Sequence, residues 1–291
     1  MREVRNGAQG ASRGSQGHAA RSGPAFDTPR LPDYEGFALR AAATVAVLLA
    51  AGEGTRLYPY THERPKCLVE VGGRPLLDRA LAALEQAGVD EVVIVTGYRE
   101  DVLAAWLAQR PHRLKVTLVR NELYASTNNA YSLWTARVAV PGAFVLLDGD
   151  LLFETRVLTT LLAASGEAAL AVERRRELGD EEMKVLEAAD GTVAAVSKTV
   201  EVAQAIGESV GLARFSAAAA QRLWARLGAQ IEAGQTRVYY ELAFEQLIAD
   251  GLAFHISDVT GLSCMEIDTP TDLAAAHGLA ADIDRRAAAP L

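Results

Sequence analysis

The sequence predicts an α/β protein built on a doubly wound, mostly parallel, Rossmann-like mixed sheet, with a smaller antiparallel subregion in its second half. Three observations carry this. Short runs at 45–49, 91–96 and 143–147 are apolar nearly throughout, as strands buried on both faces of a parallel sheet are. Segments with apolar residues at helical spacing separate them. Each run ends in a polar or glycine-bearing turn, and ligands of such sheets bind beyond the carboxyl ends of the strands.

The elements follow in order. Residues 1–42 are rich in Gly, Ser, Gln, Arg and Pro and show little periodicity, so a disordered leader is expected there, ahead of one domain over 43–280 and a tail over 281–291. The strand at 45–49 runs into Ala51-Gly52-Glu53-Gly54-Thr55-Arg56. A helix over 78–87 places Leu81, Leu84 and Ala87 on one face, with Gly88 as its stop. The strand at 91–96 ends in Gly97-Tyr98-Arg99, and a helix over 101–108 follows. A strand at 115–119, a helix over 128–137 and the strand at 143–147 lead to Asp148-Gly149-Asp150, and Thr155 reads as the cap of a helix to 164. Shorter strands are expected at 168–173, 183–186, 193–198 and 209–215. Helices over 216–227, stopped by Gly228, and over 240–249 follow, then strands at 254–257 and 262–267 and a last helix from Pro270.

Composition narrows the function. The chain has 291 residues, half of them apolar, enough for a core without staples. A net charge of −8 argues against a nucleic-acid binder. No apolar run is long enough to span a membrane. Cys67 and Cys264 show neither metal spacing nor a disulfide framework, which fits a reducing, cytoplasmic compartment. Only four lysines stand among the 29 basic residues, and Lys66, Lys184 and Lys198 fall in segments with other candidate residues.

The turn after the first strand lets backbone N–H groups approach an anion without interference from Cβ, and Arg56 and Lys66 add positive charge. Carboxylates at the end of a buried strand suit Mg²⁺, with Asp150 the expected ligand ahead of Asp148. Glu266 and Asp268 stand at i and i+2, so their side chains face the same way and complete a three-carboxylate site with Asp150. Asp268 has a rival role as a cap of the last helix. Lys184 and Lys198 flank the turn at Gly191 and would reach a substrate phosphate if that hairpin folds over the crevice; solvated strand-edge lysines are the alternative. Glu208, Tyr239, Tyr240 and Glu241 are substrate-side candidates, with Tyr240 read rather as core. The run Glu173-Arg174-Arg175-Arg176-Glu177 reads as solvated charge or as a contact for an anionic substrate.

The phrase G-x-G-T-R-L, then Pro65-Lys66, then V-G-G-R-P-L-L resembles the nucleotidyltransferase family, whose members join an NTP to a phosphorylated small molecule and release pyrophosphate. The segment Asn121 to Leu133, the hairpin around Lys184 and Lys198, and Glu266-Ile267-Asp268-Thr269-Pro270 are similar to its phosphocholine and phosphonate cytidylyltransferase branch, which uses CTP and Mg²⁺. The likeness covers roughly 45–275. It implies a nucleotidyltransferase-type sheet whose antiparallel part lies on the substrate side. It implies that Ala51, Gly52, Gly54, Thr55, Arg56 and Lys66 hold the triphosphate, with Arg56 and Lys66 catalytic. Tyr98, Thr127, Asn128, Asn129 and Asp148 would hold the nucleoside, and Asp150, Glu266 and Asp268 the metal. The expected partners are CTP and a small phosphate or phosphonate acceptor, phosphocholine or an alkylphosphonate; a homodimer stays open. Sugar-1-phosphate or inositol-1-phosphate transfer, a glycosyltransferase using Asp148-Gly149-Asp150, and a non-catalytic nucleotide sensor are the rivals. A quaternary ammonium wants an aromatic cage, and substrate-side aromatics are few.

Overall fold

The computed structural model describes residues 45–175 and 177–288; the leader expected over 1–42 lies outside them. Strand β1 (Val45–Ala50) leads through the glycine turn and a small hairpin, β2 (Glu70–Val71) and β3 (Arg74–Pro75), into α1 (Leu76–Gln86). Then come β4 (Glu91–Thr96), α2 (Glu100–Ala108), β5 (Lys115–Arg120), α3 (Asn129–Ala136), β6 (Phe144–Asp148), β7 (Leu151–Phe153) and α4 (Thr155–Ala163). The second half runs β8 (Ala168–Arg174), β9 (Lys184–Glu187), β10 (Val193–Ser197), β11 (Gly207–Phe215), α5 (Ala217–Glu232), α6 (Glu241–Ala249), β12 (Phe254–Asp258), β13 (Cys264–Glu266) and α7 (Pro270–Ala288).

The expected α/β architecture is present. β6, β1, β4 and β5 are parallel neighbours. β11 extends the sheet antiparallel to β6, with β8 along its other edge and β12 parallel to β8. The first residues of β11 also pair with β9, from which the β9–β10 hairpin continues the antiparallel part. Gly207 is required where these strands meet, because a Cβ there would lie 1.9 Å from the Glu173 carbonyl oxygen.

Alternate residues of β1 serve two cores. Val45, Val47 and Leu49 pack with residues of α3, α5 and α6, while Ala46 and Leu48 pack with those of α1 and α4. A doubly buried strand must therefore be apolar at every position, and removing one such leucine side chain costs about 2–5 kcal/mol. This rigid centre ends in the polar turns that form the site.

Three expectations need correction. α5 does not stop at Gly228 but runs to Glu232, because Leu227 and Gln230 continue its buried face and a Cβ at 228 would meet little. Gly234, at φ +79°, follows its end. Thr155 is the first residue of α4 rather than its cap, and its hydroxyl donates to Gln86 Oε1 at 2.8 Å. Residues 281–288 are not a tail: α7 continues to Ala288, held by Arg79 to Asp284 at 2.8 and 3.0 Å and by Arg286 to Glu154 at 3.1 Å. The pairings β2–β3 and β7–β13 involve runs too short for periodicity to reveal. Among the described residues, no helix is long and apolar enough to cross a membrane.

Candidate active site

The turn after β1 bends at Gly54, whose φ of +61° leaves it in the left-handed region; a Cβ there would press on Lys66 Cβ at 3.2 Å. Thr61, fully buried, donates its hydroxyl to the Gly54 carbonyl at 2.8 Å and fixes the turn. Gly52 has nothing within 4 Å of the position a Cβ would take, so its backbone is open to the crevice. Ala51 is buried behind it and accepts from Tyr98 N–H at 3.0 Å.

Lys66 Nζ lies between two carboxylates, 2.7 Å from Asp150 Oδ2 and 2.5 Å from Asp268 Oδ1. Arg56 reaches the other oxygen of Asp268 at 2.6 Å. Ligand oxygens of Asp150, Glu266 and Asp268 all fall within 4.8 Å of one another. Ile267, fully buried between the last two, points the opposite way and donates its N–H to the Asp150 carbonyl at 3.1 Å. The rival role of Asp268 is filled by Asp272, whose Oδ2 accepts from the N–H groups of Asp268 and Thr269 and from the Thr269 hydroxyl.

These charges shift one another. Burial alone would lower the Lys66 pKa, but Asp150 and then Asp268 outweigh it and the net shift is upward. Burial likewise opposes the net downward shift of Asp268, which Lys66 and Arg56 cause. Glu266 is exposed along its chain, yet its carboxyl faces the other two; desolvation first, then Asp150 and Asp268, push it up to about 8. Asp148 is raised well above the usual carboxylate range by burial, then by Asp150 and Glu241, and accepts from the Tyr240 hydroxyl at 2.8 Å. Cys67 is pushed up to about 12 by burial and stays a thiol.

Two cavities open on this cluster. The first, of about 330 Å³, is lined by Gly52, Gly54, Thr55, Arg56, Lys66 and Asn128, with Asp150, Glu266, Asp268 and Tyr239 facing them. The second, of about 510 Å³, contains Asn129, Asp148, Lys198, Glu208, Tyr239 and Glu241. Tyr98 and Thr127 line neither. Tyr98 donates its hydroxyl to the His62 carbonyl at 2.6 Å, and Thr127 donates to the Leu123 carbonyl at 2.9 Å. Asn128 accepts from Asn129 N–H as the cap of α3, and Asn129 Oδ1 accepts from Tyr240 N–H.

Lys184 departs from expectation: it is 2% exposed, and its ammonium donates to the carbonyls of Gly179 and Glu182, so it holds the loop before β9 instead of facing the crevice. Lys198 does reach the second cavity, paired with Glu181 at 2.9 Å and 5.1 Å from the Tyr239 ring centroid. Glu208 pairs with Arg175 at 2.7 Å.

Sequence reasoning missed Glu182, which lines the second cavity beside Glu173 and Arg175 of the run read as solvated charge or as a contact for an anionic substrate. The period of two places Glu173 and Arg175 on one face at the end of β8, the signal that separates them from the rest of that run. Arg174, between them, pairs outside with Glu187 and Asp258. Asn121, fully buried, gave no signal; it bonds Thr127, Ser132 and Leu123 N–H and so shapes the loop before α3.

A mostly parallel sheet thus brings a glycine turn, two cations and three convergent carboxylates together at its strand ends. The chain belongs to the MobA-like NTP transferase domain family, which it matches over residues 46–241. It is 33% identical over 237 residues to a CMP-5'-(3-aminopropyl)phosphonate synthase of Streptomyces rubellomurinus, covering 78% of this chain and 37% of that protein. It is 35% identical over 109 residues to a choline-phosphate cytidylyltransferase of Streptococcus pneumoniae, covering 38% and 46%. The chain thus spans under half the length of these curated relatives. The solved CTP:phosphocholine cytidylyltransferase of Streptococcus pneumoniae superposes with a TM-score of 0.70 at 21% identity, covering 82% of this chain and all of that one. A solved inositol-1-phosphate CTP transferase of T. maritima gives 0.69 at 21% identity over 84% and 97%.

Proposed function

We propose that the protein is a Mg²⁺-dependent cytidylyltransferase that transfers CMP from CTP to a small phosphate or phosphonate acceptor and releases pyrophosphate. The observation that carries this is Lys66 held between Asp150 and Asp268 at the open glycine turn, with Arg56 beside it. The relatives that make CMP-phosphonate and CDP-choline-type products support CTP as the nucleotide.

An acceptor oxygen attacks the α-phosphorus of CTP in line; the new P–O bond forms as the bond to the β-phosphate breaks, and the electron pair leaves with pyrophosphate. A phosphate monoester has a second pKa of about 6 and is already an anion near neutral pH, so no general base is required. Rate enhancement then rests on positioning and charge neutralisation. Arg56 and Lys66 neutralise the departing pyrophosphate, while the backbone at Gly52 and Gly54 lies against the phosphates. Lys198, in the second cavity, meets the acceptor's phosphorus oxygens.

The residues fit a hard divalent cation: the donors are all carboxylate oxygens, and Asp150 Oδ1 is buried with no hydrogen-bond partner among the described residues. Asp150, Glu266 and Asp268 would hold it, and bound there it would supply charge neutralisation between nucleotide and acceptor.

The test is pyrophosphate release with Mg²⁺, pairing each NTP with phosphocholine, 2-aminoethylphosphonate, inositol-1-phosphate and glucose-1-phosphate. CTP with phosphocholine or a phosphonate is the expected pair. Turnover only with UTP, dTTP or GTP and a sugar phosphate would overturn it.

A further inference from the structure

The second cavity carries more negative charge than the transfer reaction uses, even with Asp148, Glu266 and Asp268 set aside for nucleoside and metal. Among the described residues, nine acidic and three basic side chains line it. All three cations already have carboxylate partners: Arg56 with Asp268, Arg175 with Glu208, and Lys198 with Glu181. Asp148 accepts from Tyr240, and Asp272 from the N–H groups of Asp268 and Thr269 ahead of α7. Glu182 and Glu241 are different: each lines the cavity with an Oε2 that is buried and has no hydrogen-bond partner among the described residues, and Glu241, 5% exposed, is the more deeply buried of the two. A buried carboxylate oxygen without a partner is costly, and a native structure that keeps one at a cavity wall is prepared for a partner supplied from the cavity.

The partner's chemistry can be narrowed. Carboxylates with open lone pairs match the directed N–H donors of a primary ammonium. A quaternary ammonium has no such donors and binds instead to aromatic faces. Tyr239 is the sole aromatic among the described residues lining this cavity, and the Lys198 ammonium already lies 5.1 Å from its ring centroid. We infer that the acceptor carries a primary ammonium at the end remote from its phosphorus, and that Glu241 is the residue that reads it. The inference rests on the proposed cytidylyl transfer for the identity of the cavity as the acceptor site, and it selects an aminoalkyl phosphonate or phosphate over phosphocholine.

Calorimetry on the full chain separates the two claims. 3-Aminopropylphosphonate, its N-trimethyl analogue and amine-free propylphosphonate are titrated into wild type and Glu241→Gln, each alone and with Mg²⁺ and a non-hydrolysable CTP analogue. The free amine is expected to bind wild type at least about tenfold tighter than either analogue, and Glu241→Gln to remove most of that preference. Equal affinities, no detectable binding of the amine in either condition, tightest binding of the N-trimethyl compound, or a preference unchanged in Glu241→Gln would each overturn the inference. The ligand comparison on wild type stands even if the variant misfolds. Amine preference without pyrophosphate release from CTP would instead overturn the proposed reaction and leave the ammonium site in place.

Discussion

On the β1 side of the crevice, Gly52, Gly54, Thr55, Arg56 and Lys66 come from one stretch of chain, bent by a single left-handed glycine. On the opposite side, Glu173, Glu208, Glu241 and Lys198 arrive from β8, β11, α6 and the turn after β10. The first side presents open backbone and two cations to an anion; the second presents a surplus of carboxylates. The contrast teaches that one crevice can hold ligand ends of opposite charge when the two walls are built by different means. A local turn makes the wall that carries Arg56 and Lys66, and the register of distant strands makes the carboxylate-rich wall.

The contrast can be broken most severely on the first wall. Lys66→Ala is expected to lower kcat by about 10²–10³ with the far-UV circular dichroism unchanged, the range found when one group opposing transition-state charge is removed. Wild-type turnover would sink its assignment. On the shared floor, Asp150→Asn or Asp268→Asn should weaken Mn²⁺ binding, read by electron paramagnetic resonance, by at least about tenfold, since loss of even an outer-shell partner costs 10- to 100-fold. Gly207→Ala attacks the strand register behind the second wall; a Cβ 1.9 Å from a carbonyl oxygen forces backbone movement, and a loss of about 1–3 kcal/mol should appear as a Tm several degrees lower.

The smallest effect sharpens the second wall. Burial raises the Glu241 pKa from an ordinary 4.5 to about 7. The native state therefore binds this proton more tightly than the unfolded chain, and stability declines as pH rises from about 4.5 to 7, then levels off. Glu241→Gln, with no carboxyl to ionise, should gain Tm over wild type between pH 5 and pH 8; a pH-independent difference would argue against the buried charge.

The same contrast explains what could be read before the structure. The β1 turn, Lys66 and the paired Glu266 and Asp268 were legible because their geometry is local: a glycine at positive φ, or two side chains two residues apart on a strand. Lys184 was misplaced because its strand was visible but the loop carbonyls it satisfies were not. Arg175 looked like solvated charge because its partner Glu208 sits on β11. The end of α5 was misread at Gly228, where packing around Leu227 overrides the stop signal.

The bond from Lys66 to Asp268 joins residues 202 positions apart. During synthesis at about 5–20 residues per second, roughly 10–40 s separate their emergence. Throughout that interval the glycine turn and the lysine exist without the carboxylate that completes the site. Chains ending before Asp268 would therefore carry the glycine turn and Lys66 without one of the two carboxylates between which Lys66 is held.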